Sequence, residues 1–324
     1  ELTARIETGM SISEAIQAFL FAKEIEGFSP NTIRNYRLTL ARFRRFFDVL
    51  DPQIRDISTQ DIRAFLHQLQ TKAPASTSEI PQKRKPLSPK SIRNVHATLS
   101  SLWEWAIEED LVKRNVVRSV KPPNPKLPTI KPFEERDLRA LLRQASQGST
   151  SEIRYRDRAI IMFLLDTGVR ASELCNLRLS NVDLKQGSAI VRGKGRLDQG
   201  VGRQRVVFLG GRVQRALHRY LIERKAEEPE EWLFTTKNRR QLTRNVLGRH
   251  LHRMGERINV LPCNPHRFRH TFAIFYLRNG GDVFTLQRLL GHSSLDMVQR
   301  YLSIAQADVE AAHRKAGPVD NWGL

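Results

Sequence analysis

Five prolines fall between Lys121 and Pro132, at positions 122, 123, 125, 128 and 132. Proline has no backbone N–H and pushes the residue before it away from the helical region, so such a stretch supports neither a helix nor a central strand. It reads as a linker between two bodies, and 324 residues are enough for two hydrophobic cores. The expected division is a helical domain over 1–122, a linker over 123–131 and a second domain over 132–324.

The first segment carries helix starts and helical spacing throughout. Ser11 and Glu14 form a capping-box pattern ahead of Ile16, Phe19 and Leu20. Ser29-Pro30 and Ser88-Pro89 each offer an N-cap followed by proline in the first turn. Ser58 to Asp61 opens a further helix that runs through Leu69. Ile33, Tyr36, Leu40, Phe43, Phe46 and Phe47 repeat at helical spacing, as do Ile92, Val95, Leu99, Leu102 and Trp103. The two Ser-Pro openings both continue to Ile-Arg-Asn, which sets Arg34 and Arg93 close to helix N-termini. Such starts serve as plain caps or as grips on a phosphate backbone, and both readings stay open. Thr71 to Leu87, rich in Pro, Ser and Thr, reads as a loop. Its Lys83, Arg84 and Lys85 are solvated or, beside DNA, touch phosphates.

The second segment mixes periodicities. Glu134–Gln147 is expected to be helical, and Asp157–Thr167, apolar all round in its centre, to be a buried helix. Ser188–Val191 and Arg205–Leu209 are β-type runs joined by a glycine-rich stretch, the pattern of a hairpin. Helices are expected over 212–225, 243–258, 265–279, 283–290 and 294–303, followed by a tail from Ile304 to Leu324. The fold class expected is mainly α, with a small β-hairpin or sheet in the second domain.

Charge narrows the function. The chain holds 54 Lys and Arg against 34 Asp and Glu, a net of +20. The excess is uneven, with 19 basic and 14 acidic residues up to Pro122 but 35 and 20 after it. A balance this basic points to a polyanionic partner, nucleic acid first and an anionic membrane surface second. The sequence has no apolar run long enough to span a bilayer and no basic amphipathic helix with aromatic anchors, so a membrane role ranks last. The first ten residues are polar and mildly acidic, unlike a signal peptide. Cys175 and Cys263 are far apart and in no Cys-x-x-Cys pair, which excludes a disulfide scaffold and fits a reducing cytoplasm.

Four motifs could carry chemistry. In Thr167-Gly-Val-Arg-Ala-Ser-Glu-Leu174 a buried helix breaks at Gly168, leaving Arg170 just past the break with Glu173 to hold it. A guanidinium fixed this way can fork onto a phosphate, although a capping turn with a surface ion pair explains the motif equally well. Lys194 lies between two glycines at a strand exit, where it is a solvated turn residue or an ammonium within reach of a leaving oxygen. In Pro265-His-Arg-Phe-Arg-His-Thr-Phe272, His266 and Arg269 share a helix face and His270 falls near it. A zinc site on the two histidines is disfavoured by the missing third ligand and the cationic surroundings, and paired His and Arg around one phosphate is the better reading. Last come His292, in Leu289-Leu-Gly-His-Ser-Ser294, and Tyr301 nine residues on.

Taken in order, Arg170, Lys194, His266, Arg269, His292 and Tyr301 resemble the Arg, Lys, His-x-x-Arg, His, Tyr pattern of the tyrosine recombinases, the family of phage integrases and Xer- and Cre-type enzymes. The resemblance covers most of Pro132 to Ser303. It implies an N-terminal helical core-binding domain and a catalytic domain that together clamp double-stranded DNA. It further implies cleavage through a 3′-phosphotyrosyl bond to Tyr301, without metal or nucleotide cofactor, by four protomers on two duplexes. A sibling recombinase or a DNA-bending protein is a compatible partner. By the same resemblance Arg170 and Arg269 stabilise the transition state and His292 donates a hydrogen bond. His266 takes the tyrosine proton, and Lys194 protonates the leaving oxygen. The turn after Lys194 is longer than the family's usual one, which makes Arg196, Arg203 and Arg205 alternative acids. Arg196 and Arg203 are also candidate DNA contacts. Two other readings share the fold: a type IB topoisomerase or telomere resolvase, and a DNA-binding protein without catalysis.

Overall fold

A computed structural model describes residues 9–71, 86–125, 130–193, 204–291, 298–299 and 301–302. They fall into two compact units, one up to residue 125 and one from 130 onward. The expected helix at 294–303 is described only at 298–299 and 301–302, which are helical. Most of the 71–87 loop, with Lys83, Arg84 and Lys85, lies outside the described residues, as do Lys194, Arg196, Arg203, His292 and the tail.

The first unit is built on α1 (Ile12–Ile25), α2 (Pro30–Phe46), α3 (Thr59–Thr71) and α4 (Pro89–Glu108). Each begins where its sequence caps it. Ser11 and Glu14 close a reciprocal capping box, and the Ser29 and Ser88 side chains accept from the backbone N–H three residues on, with proline in the first turn. Ser58 and Asp61 bond reciprocally at the start of α3. The apolar faces meet around Phe43, whose ring stands edge-on to Phe65 at 5.0 Å and Trp103 at 5.9 Å. Such aromatic pairs each add about 0.5–1.5 kcal/mol beyond area burial. Arg34 is exposed on α2. Arg93 is exposed on α4 and donates to Asn124 Oδ1 at 3.2 Å.

The second unit runs α5 (Glu135–Ala145), α6 (Ser151–Thr167), α7 (Ala171–Cys175), β1 (Val182–Asp183), β2 (Ser188–Arg192), β3 (Gln204–Phe208), α8 (Gly211–Arg224), α9 (Arg244–Arg257), α10 (Pro265–Arg278) and α11 (Val283–Leu290). The strands form an antiparallel sheet in the order β1-β2-β3, with Ala189 opposite Val207 and Val191 opposite Arg205. Ala189, Val191 and Val207 face the core while Ile190, Val206 and Phe208 are exposed, the period-two alternation of a half-buried sheet. β1 escapes the sequence because two residues are too few to show alternation.

The buried helix α6 starts at Ser151, six residues before the expected Asp157. The Thr150 hydroxyl caps it by accepting from Ile153 N. Its first half is not apolar but carries a buried polar network. Arg156 donates to Asp157 at 2.7 Å and to the Thr235 carbonyl at 3.1 Å, and the other Asp157 oxygen meets His250 Nε2 at 2.8 Å. Satisfied in this way, the polar groups tolerate burial and tie α6 to α9.

Gly168 ends α6 in the left-handed region, at φ 59°. A Cβ there would stand 2.4 Å from Phe272 Cδ1. Both the backbone conformation and the packing therefore demand glycine, and the turn it makes aims Arg170. Gly168→Ala is expected to cost more than about 1 kcal/mol of stability. An unchanged denaturation midpoint would show that the turn absorbs a side chain.

Candidate active site

α10 opens at Asn264, whose side chain accepts from Arg267 N, with Pro265 in the first turn. From that start the 3.6-residue period separates the basic residues. Arg267 turns away from its neighbours. Its guanidinium lies 4.0 Å from the centroid of the Phe133 ring and donates to the carbonyls of Lys131, Pro132 and Pro262, anchoring the start of the unit. Arg269 points inward and is 2% exposed. It donates to the carbonyls of Gly168 and Leu290, both at 2.8 Å. Burial, followed by the nearby charge of Arg170, lowers its pKa to about 10, so it remains cationic at neutral pH.

Arg170 sits at the N-terminus of α7. Its backbone N–H donates to Glu173 Oε2 at 2.8 Å and its Nη1 to Oε1 at 3.0 Å, while Nη2 reaches the Gly291 carbonyl at 3.2 Å. The side chain is 41% exposed, whereas that of Glu173 is 1% exposed. Glu173 also accepts two bonds from Arg205, at 2.7 and 2.8 Å. Burial works to raise the Glu173 pKa, but the hydrogen bond and charge of Arg205, together with Arg170, outweigh it and hold the carboxyl below its ordinary value. Arg205 further donates to the Leu289 carbonyl at 2.7 Å.

Three guanidiniums thus gather at one helix end. The last carbonyls of α11 and its cap, Leu289 to Gly291, have no helical partner and form the negative end of the helix dipole. Arg170, Arg205 and Arg269 supply the donors. Glu173 is the carboxylate that Arg170 and Arg205 bind, so three guanidiniums with one carboxylate keep a net positive charge, suited to an anion.

Tyr301 is 1% exposed and packs among Ala273, Ile274, Leu277, Leu286, Leu290 and Val298. Its hydroxyl stands 2.9 Å from His270 Nδ1. The His270 ring lies 4.3 Å, centroid to centroid, from that of His266, which is exposed. Among the described residues no three His, Cys, Asp or Glu side chains gather as a metal site.

The fold therefore brings Arg170, Glu173, His266, Arg269 and Tyr301 into one region of the second unit, while Arg34 and Arg93 belong to the first. Two contributors differ from expectation. His270, which the sequence places near the face of His266 and Arg269 without a role toward Tyr301, is the histidine that touches the tyrosine. Arg205, an alternative acid by sequence, is engaged with Glu173. The alternation of β3 carried a signal for it, because a residue two before the inward Val207 faces inward too, and a buried arginine needs a carboxylate.

Residues 131–308 match the model of the phage integrase family, and residues 16–113 match that of the phage integrase N-terminal SAM-like domain. The chain belongs to the phage integrase family, the tyrosine recombinases. As a site-specific recombinase it is similar to tyrosine recombinase XerC of Leptospira interrogans, 30% identical over 314 residues that cover 95% of this chain and 94% of the relative. The same protein from Myxococcus xanthus is 30% identical over 326 residues, covering 95% and 99%. Among solved structures, its fold resembles the Tn1549 transposon integrase in complex with circular intermediate DNA (TM-score 0.71, 21% identity, 93% of this chain and 99% of that one). It also resembles a lambda integrase dimer bound to a COC′ core site (TM-score 0.68, 19% identity, 89% and 97%). No helix among the described residues is long and apolar enough to cross a membrane.

Proposed function

We propose that this recombinase cuts and rejoins duplex DNA by attack of Tyr301 on a phosphodiester. The tyrosine oxygen bonds to phosphorus, the 5′ oxygen leaves, and the products are a 3′-phosphotyrosyl bond and a free 5′ hydroxyl. The observation that carries this reading is the Tyr301 hydroxyl on His270 Nδ1, in the same fold region as two anchored guanidiniums. A phenol is neutral at pH 7 and needs a base to become a nucleophile. His270, with its proton on Nε2, accepts from the phenol, and the adjacent exposed His266 is the next station toward solvent. Arg170 and Arg269 face the charge that grows on the non-bridging oxygens, and their fixed partners mean that little reorganisation accompanies the reaction. His292 adds a hydrogen bond there and Lys194 protonates the leaving oxygen. One phosphodiester is exchanged for another, so no nucleotide is consumed, and the guanidiniums supply the stabilisation that a metal provides elsewhere. Because the phenol is buried, the segment carrying it must shift when DNA seats. The active form is a tetramer of this chain, or of this chain with a sibling, on two duplexes in the cytoplasm.

The test is incubation with sheared genomic DNA of the source organism in EDTA, followed by capture and sequencing of SDS-resistant adducts. Adducts at a shared inverted repeat are expected. Adducts scattered without a motif would point to a topoisomerase, and a requirement for metal would remove the mechanism. His270→Phe is expected to keep DNA binding and to slow cleavage about 10²–10⁴-fold, the usual contribution of a general base. An unchanged rate would move the proton to His266.

A further inference from the structure

The helices α6 and α8 lie antiparallel. Gly210 N, at the start of α8, donates to Asp166 Oδ2 near the end of α6 at 2.8 Å, and Ser151, at the start of α6, bonds Glu223 near the end of α8. Between them runs a groove of about 730 Å³ lined by five arginines: Arg154 and Arg158 from α6, and Arg212, Arg215 and Arg219 from α8. The spacings, i and i+4 on one helix and i, i+3 and i+7 on the other, put each set on one helix face. The α8 row spans about 10 Å at 1.5 Å rise per residue.

No acidic residue lines the groove, and none of the five arginines takes part in an ion pair among the described residues. Arg154 donates to the Gly148 carbonyl at 3.3 Å, and the Arg219 guanidinium lies 4.7 Å from the centroid of the Tyr155 ring. The other three are exposed. Like charges at these helical spacings repel, and the repulsion is relieved when an anion sits between the rows. A guanidinium presents a planar fork of donors that matches a phosphate. The one aromatic ring lining the groove, that of Tyr155, is already engaged by the Arg219 guanidinium, so the groove offers charge and forks more than a stacking platform and fits a backbone better than unpaired bases. It shares no residue with the site of Tyr301, Arg170 and Arg269.

We propose that the α6–α8 groove holds the sugar–phosphate backbone of duplex DNA at a stretch other than the one that carries the attacked phosphate. The groove is sequence-blind and adds affinity, so its signature is electrostatic. This inference stands apart from the chemistry of Tyr301 and is tested by binding alone.

The experiment measures affinity of the full chain for a labelled duplex of arbitrary sequence across a series of KCl concentrations, all in a Tyr301→Phe background. Each lost phosphate contact lowers the slope of log K against log salt by about 0.9, so Arg158→Gln/Arg215→Gln/Arg219→Gln should flatten it by about 2–3. Arg158→Lys/Arg215→Lys/Arg219→Lys keeps the charge and should keep most of the slope, which separates lost contacts from lost folding. Equal slopes for the Gln variant and the parent would overturn the proposal. If, in addition, a labelled Asp/Glu-rich peptide bound the parent and not the Gln variant, the groove would be a site for an acidic protein segment instead.

Discussion

Tyr301→Phe will form no SDS-resistant adduct with DNA, yet it will bind duplex DNA as tightly as the unaltered recombinase. The substitution removes a single oxygen. The ring remains in the pocket of Ala273, Ile274, Leu277, Leu286 and Leu290, so the packing that holds the segment is retained. What is lost is the hydrogen bond to His270, worth about 1 kcal/mol, and the only atom of that side chain able to attack phosphorus. Adduct formation should fall to background while the denaturation midpoint moves little. Loss of binding in parallel with loss of adducts would make Tyr301 a structural residue and leave the nucleophile to be found elsewhere.

Glu173→Ala should be the most destabilising of the site substitutions. Arg205 is nearly buried, its side chain 12% exposed, and its charge is met by a doubly bonded carboxylate. Truncating that carboxylate leaves a desolvated guanidinium without a counter-charge, a change that costs about 3–5 kcal/mol in buried pairs. Arg170 loses its anchor in the same step, so cleavage should drop further than stability alone accounts for. Urea denaturation reads the first effect, and a loss below about 1 kcal/mol would show that Arg205 finds another partner. The pH dependence has a definite sign. The folded pKa of Glu173 lies below its ordinary 4.5, so the carboxylate stabilises the fold fully above that value and loses its contribution as pH falls through the folded pKa. The gap between the unaltered protein and Glu173→Gln should therefore narrow in acid and be flat above pH 4.5.

Local signals made the helices legible. Ser11, Ser29, Ser58 and Ser88 sit at the helix starts because a side-chain oxygen there satisfies orphan backbone donors, a rule that needs no tertiary context. Gly168 was readable as the end of α6 for the same kind of reason. The start of that helix was not. Arg156 and Asp157 look like a solvated approach in sequence, and only His250 and the Thr235 carbonyl, both distant in the chain, make their burial tolerable. The site shows the same division. Residue type and order singled out Arg170, His266, Arg269 and Tyr301. The contact between Tyr301 and His270 depends on how α10 meets the segment after α11, and the grip of Arg205 on Glu173 depends on strand register. Neither is a property of spacing alone. The α6–α8 arginines went unnoticed because each row is ordinary on its own helix, and only the antiparallel packing makes a groove of them.

The identity of the residue that carries the DNA decides the chemistry of this recombinase. Adducts trapped in EDTA would be digested with nuclease and trypsin, and the peptide bearing residual nucleotide sequenced by mass spectrometry. Nucleotide is expected on Tyr301 through a 3′ phosphate, with a free 5′ hydroxyl on the released strand. Nucleotide on any other side chain, or a 5′ linkage, would rule out the proposed attack by Tyr301.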